Sequence, residues 1–110
     1  MMTIMVVDVG GTNIRFGISE TVSAPLSDIQ SFECSNFTTI EEAAETYIAS
    51  VEGVRDVNFD AVSIAVAAPI FGDHINVTNN HWQFIKSELI NKIPAKSLLV
   101  VNDFVAQALA

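Results

Sequence analysis

The stretch "VVDVGGTNIRFGI", residues 6–18, limits the fold of this chain more than any other segment. An apolar, β-branched run ends in Asp8, the chain passes Gly10, Gly11 and Thr12, and Ile14, Phe16 and Ile18 then alternate with Asn13, Arg15 and Gly17. A period of two marks a strand with one covered face, and a short glycine-containing break between two such runs marks a hairpin. The first strand is expected over 3–9 and, being nearly all apolar, buried on both faces; the second is expected over 13–19.

Further along, "IQSFEC" at 29–34 reads as a third strand continuing the meander, with Cys34 as a small, half-buried strand residue. "TTIEEAAETYIASVEG" sets Ile40, Ala43, Ala44, Tyr47, Ile48 and Val51 at helical spacing. Thr38 with Glu41, or Thr39 with Glu42, would form its capping box, and Gly53 falls just past its end. "AVSIAVAAP" at 61–69 is a buried strand ended by Pro69, and Gly72 and Asp73 make a turn into another short strand. "SELINKI" is a short amphipathic helix stopped by Pro94, and "SLLVVND" at 97–103 is again a buried strand, with Asn102 and Asp103 at its end. Strand, helix, strand order implies parallel pairing in the second half, so the sheet is mixed.

With 110 residues, half of them apolar, the chain can bury one core and is read as one structural unit. A net charge of −8, with Arg15, Arg55, Lys86, Lys92 and Lys96 scattered, argues against nucleic acid or a lipid surface as partner. One cysteine makes no intramolecular disulfide and fits a reducing compartment. "MMTIMVV" lacks a basic flank and meets Asp8 too soon for a signal peptide or a membrane span, so a cytoplasmic protein is expected. A mean hydropathy of +0.41 with 16% charged residues, and a final "FVAQALA" without a capping residue, set the expectation of a piece of something longer.

Gly10 and Gly11 remove side chains where the backbone must turn sharply, and the amides of such a turn form an anion-binding concavity. Thr12 and Asn13 add hydrogen-bonding side chains. Asp8 would repel a bare phosphate but suits one that carries Mg²⁺, which spells metal-nucleotide. A Walker loop is excluded because no Gly-Lys-Ser/Thr is present, and a dinucleotide fingerprint because "GGTN" is not GxGxxG and no helix follows. A plain hairpin turn, with Asp8 accepting turn amides, fits the same residues.

In "VVNDF", residues 100–104, two polar side chains stand at the carboxyl end of a buried strand, where open α/β sheets hold their ligands. Asn102 donates and accepts, and Asp103 accepts only, so the pair can hold adjacent sugar hydroxyls, and Asp103 can take the proton of an attacking hydroxyl. Either can equally cap the following helix. "VTNNHWQF" at 77–84 combines the amides of Asn79 and Asn80 with His81 and the flat ring of Trp82, a mixture suited to a carbohydrate pocket. No second histidine at ligand spacing supports zinc, and His74 carries no assignment.

Taken in order, "VVDVGGTNIRFGI", "AVAAPIFGD", "VTNNHWQF" and "VVNDFVAQALA" resemble the N-terminal lobe of the bacterial glucokinases, within the sugar-kinase, actin and heat-shock-chaperone superfamily. The resemblance spans nearly the whole chain. It implies an α/β fold of the ribonuclease H-like (actin-like ATPase) type, with a three-stranded meander followed by parallel strands and helices. It also implies ATP-dependent transfer of a phosphoryl group to the 6-hydroxyl of glucose, in a cleft between two lobes. Asp8, Val9, Gly10, Gly11, Thr12 and Asn13 then match the first phosphate loop, with Asp8 near Mg²⁺. Asn102 and Asp103 match the sugar-binding pair, with Asp103 as the base, and the segments holding Pro69 and Asn79 line or buttress the sugar pocket. Residues 1–110 would be the small lobe, inactive alone. Its partners would be glucose or a similar hexose, ATP, the missing C-terminal lobe and, as a homodimer, a second copy. Three other readings stay open: a kinase for another hexose such as glucosamine or mannose, a non-catalytic actin- or chaperone-like ATPase lobe, and a sugar-responsive regulator. The last of these would carry a DNA-binding helical domain before the loop, whereas here the first strand begins at Thr3.

Overall fold

The computed structural model describes residues 3–20, 26–52, 58–66, 72–77 and 81–102, with the backbone alone at Glu52 and Asn102. Strands β1 (Ile4–Val9), β2 (Asn13–Ser19) and β3 (Ser27–Glu33) form the expected antiparallel meander. β1 also pairs parallel with β4 (Ala61–Val66), and β4 with β7 (Leu98–Asn102), giving a mixed sheet ordered β3-β2-β1-β4-β7. Helix α1 (Ile40–Glu52) lies in the crossover from β3 to β4. The crossover from β4 to β7 holds β5 (His74–Asn76), β6 (Gln83–Ile85) and α2 (Lys86–Ile90).

One face of the sheet is the core, because alternate residues of each strand are apolar and the pairing registers stack them. Met5, Val7 and Val9 stand opposite Ile18, Phe16 and Ile14 on β2 and beside Val62, Ile64 and Val66 on β4, and each is at most 2% exposed. Ile40, Ala43, Ala44, Tyr47, Ile48 and Val51 of α1 join the same cluster, the Tyr47 ring stacking on Phe16 at 4.7 Å between centroids. Expected burial of β1 on both faces is not met: Val6 is half-buried and Asp8 exposed. An apolar run has the same composition whether one face or two is covered. The outward row Gly17–Val6–Ser63–Leu99 is continuous across the sheet, yet Leu99 remains 59% exposed.

Local chemistry explains the element boundaries. The Glu42 amide donates to Thr39 Oγ1 at 3.3 Å, and Glu42 Oε1 accepts from the amides of Thr39 and Thr38 at 3.1 and 2.8 Å, so the Thr39–Glu42 pair is the capping box. β3 starts before the expected residue 29 and ends at Glu33. Cys34 is therefore not a half-buried strand residue; it opens a 3-10 turn, Cys34–Asn36, and is 2% exposed. α2 ends at Ile90, with the Asn91 and Lys92 amides closing onto Glu88 and Leu89 at 3.2 and 3.0 Å. Pro94 thus lies beyond the helix it is expected to stop. The pairing of β5 with β6 in a second, two-stranded sheet is not foreshadowed by any pattern in the sequence. β4 is described to Val66, and Pro69 and Gly53 fall outside the described residues.

In the β2–β3 pairing, Phe16 faces Gln30 and Ile18 faces Ser27, so residues 28 and 29 together oppose Gly17. This is a bulge. Asp28 takes the left-handed conformation with φ 51°, tolerable for a short polar side chain, and its carbonyl accepts from the Tyr47 hydroxyl at 2.8 Å. At the amino ends of the parallel strands, Asp60 accepts from the Thr3 amide at 2.8 Å, with the Lys96 ammonium 3.5 Å away. The Thr3 hydrogen bond, helped by Lys96, holds the Asp60 carboxyl below its ordinary value of 3.8. No helix among the described residues is long and apolar enough to cross a membrane.

Candidate functional site

The carboxyl ends of the three parallel strands come out level: Val9 pairs with Val66, and Val66 with Asn102. Neighbouring strands lie about 4.8 Å apart, so Asn102 stands roughly 10 Å across the sheet from the strand end that opens the glycine turn. Register alone brings two segments separated by most of the chain to one edge.

The turn itself is a two-residue loop, Gly11–Thr12, closed by the Gly10 amide donating to the Asn13 carbonyl at 2.9 Å. Among the described residues positive φ occurs at Asp28 and Gly72, not at Gly10 or Gly11. The side chain is therefore removed at Gly10 for space and not for a left-handed backbone. A Cβ on Gly10 would stand 3.3 Å from the Asn13 carbonyl oxygen, tighter than ordinary contact. The Gly10 amide is engaged, whereas among the described residues the amides of Gly11 and Thr12 have no partner, and both residues are exposed. Two backbone donors at a loop tip, with the Thr12 hydroxyl and the exposed Asn13 side chain beside them, can receive an anion.

Asp8 lies on the outward face, exposed, opposite Arg15 on β2 and beside Ala65 on β4. Val9 points into the core at 0% exposure, so only its backbone belongs to the edge. Asn102 is placed by its backbone as the last residue of β7. Asp103, Pro69 and Asn79 lie outside the described residues. Trp82, expected in a pocket lining, is 2% exposed within the core, its indole N–H donating to the Phe37 carbonyl at 3.2 Å. His81 Nε2 shares that carbonyl at 3.0 Å, and His74 Nε2 meets Gln83 Oε1 at 3.0 Å.

A different concavity, an open cleft of about 560 Å³ between α1 and α2, is lined by Thr39, Asn91, Lys92 and the carboxylates of Glu41, Glu42, Glu45 and Glu88, a net negative lining that disfavours phosphate. No group of three or more metal-ligating side chains occurs among the described residues.

Sequence reasoning misses the residues that hold the loop from behind. The Cys34 amide donates to the Thr12 carbonyl at 2.8 Å, and its thiol faces the Gly10 carbonyl at 3.9 Å. Nothing local signals these contacts. The Asp8–Arg15 juxtaposition, by contrast, follows from a two-residue hairpin loop and can be counted along the chain.

A family model described as Glucokinase matches residues 5–110. The glucokinase of Helicobacter pylori strain P12 is 38% identical over 106 residues, covering 96% of this chain and 31% of that protein. A crystal structure of glucokinase from an Antarctic psychrotroph superposes with a TM-score of 0.83 at 29% identity, over 96% of this chain and 34% of that one. A ROK family glucokinase from Streptomyces griseus, solved in complex with glucose and AMPPNP, shares the fold with a TM-score of 0.67 at 22% identity, over 96% of this chain and 35% of the other. The chain thus spans about a third of the length of the proteins it matches.

Proposed function

The chain belongs to the glucokinase family, and from that premise we propose that residues 1–110 are the N-terminal lobe of a cytoplasmic kinase that transfers the γ-phosphoryl group of ATP to the 6-hydroxyl of glucose. The observation that supports the reading is the level register Val9–Val66–Asn102, which brings the end of β1, where the glycine turn begins, and Asn102 to one sheet edge.

In this reading the Gly11 and Thr12 amides, the Thr12 hydroxyl and Asn13 receive phosphate oxygens, compensating negative charge with groups that need not reorganise. The exposed Asp8 carboxylate fits Mg²⁺, which takes one or two carboxylates alongside substrate phosphates, and the ion would neutralise charge on the transferring group. Asn102 and Asp103 orient the hexose. The Asp103 carboxylate accepts the proton of the 6-hydroxyl as that oxygen attacks the γ-phosphorus and the bond to ADP breaks. Catalysis needs a second lobe to complete the electrostatic clamp, so residues 1–110 alone turn nothing over.

The test is a coupled assay of ADP release by the full-length protein, with glucose, mannose and glucosamine as competing acceptors. Glucose-dependent release from the full-length protein, and none from residues 1–110, is expected. Release that ignores glucose would refute the sugar assignment, and family-like turnover by residues 1–110 would refute the division into lobes.

A further inference from the structure

Residues 34–37 connect the glycine loop to a part of the chain that lies far away in sequence. At one end, the Cys34 amide holds the Thr12 carbonyl at 2.8 Å while the thiol faces the Gly10 carbonyl at 3.9 Å, so both sides of the Gly11–Thr12 tip are tied to one residue. In the middle, the Phe37 amide closes the 3-10 turn onto the Cys34 carbonyl at 3.1 Å. At the other end, the Phe37 carbonyl accepts from both Trp82 Nε1 at 3.2 Å and His81 Nε2 at 3.0 Å. Cys34 and Trp82 are each 2% exposed. The Phe37 ring is held edge-on by Phe32 at 5.8 Å, and Phe32 in turn packs edge-on against Phe16 at 5.9 Å.

From this we propose that residues 34–37 are a strut that sets the position of the nucleotide-binding loop from residues 81–82, with Cys34 and Trp82 as positioning residues for ATP use. The proposal rests on the nucleotide role given to the loop under Proposed function. Its logic is geometric. The tip amides of Gly11 and Thr12 have no partner among the described residues, so what aims them is the hold on the flanking carbonyls. A misplacement of about 1 Å at such donors is costly to turnover. The Cys34 side chain is a weak donor in an apolar niche, a role that serine can fill and alanine cannot.

The experiment uses the full-length protein with Cys34→Ala, Cys34→Ser and Trp82→Phe, each read by steady-state kinetics and amide hydrogen exchange. Cys34→Ala is expected to raise KM for ATP about threefold with KM for glucose unchanged, and Cys34→Ser to restore it, as loss of one weak hydrogen bond implies. Trp82→Phe, which keeps a ring but loses the N–H, should raise exchange at the Gly10 and Cys34 amides about fivefold while Val7 and Ile64 hold their protection. Equal KM changes for ATP and glucose, no rescue by serine, or exchange that rises uniformly through the core would overturn the strut. If the wild-type protein shows no glucose-dependent ADP release, the function falls, and the exchange measurement still decides the strut.

Discussion

Replacing Tyr47 by phenylalanine removes one oxygen from a side chain with 0% exposure and leaves its ring in place. That oxygen donates to the carbonyl of Asp28, a residue of the bulge in β3, at 2.8 Å. A hydrogen bond of this kind contributes about 0.5–1.5 kcal/mol net. Asp28 is exposed, so water can partly reclaim its carbonyl, and the loss should be about 1 kcal/mol. For a chain of this size that corresponds to a fall in Tm of about 4 °C. Tyr47→Leu removes the 4.7 Å stack on Phe16 as well. It should cost about 2–3 kcal/mol in all, since an aromatic pair adds about 0.5–1.5 kcal/mol and the smaller side chain leaves a void. Urea titrations of the wild type and both variants at constant m-value give the two differences directly. A Tyr47→Phe loss below about 0.3 kcal/mol would mean that the hydroxyl adds nothing net to stability, and the latch between α1 and the bulge would be refuted.

Asp60 titrates below its ordinary value because the Thr3 amide, then Lys96, favour the carboxylate. A depressed folded pKa contributes stability above the unfolded value and loses it as pH falls through the folded one, so the urea midpoint should drop as pH is lowered through 3.8 and below, and Asp60→Asn should flatten that drop. In the full-length protein Gly11→Val should raise KM for ATP and leave KM for glucose little changed, because a branched side chain blocks approach of phosphate to the loop backbone; unchanged ATP kinetics would refute the loop assignment. Asp103→Asn should lower kcat about 10²- to 10⁴-fold with glucose binding retained, since the amide keeps the shape but cannot take the proton. Equal losses in both, measured by steady-state kinetics and glucose titration, would mark Asp103 as a binding residue instead.

Features governed by neighbours along the chain are legible in the amino-acid sequence. The hairpin at Gly11–Thr12, the alternating core face of β2 and the periodic face of α1 depend on backbone geometry within a few residues, and each is found where the pattern puts it. The ends of elements are less legible. Cys34 has the composition of a strand residue, yet the backbone turns there into a 3-10 helix that packs against the loop. α2 carries helical spacing up to Ile93 but closes at Ile90, where its last amides find carbonyls at hand. The candidate site is legible as short motifs, and their order along the chain carries the family resemblance.

Sequence by itself therefore settled the inward faces of β2 and α1, where the glycine turn falls and which family the chain resembles, because periodicity, turn chemistry and motif order are written along one dimension. Only the tertiary structure decided that Val9, Val66 and Asn102 come out level, that Thr39 rather than Thr38 caps α1, and that Trp82 reaches back to Phe37. Those contacts join segments tens of residues apart, or choose between near-equal local partners. Their outcome depends on how the crossovers pack against the sheet, which no local pattern encodes.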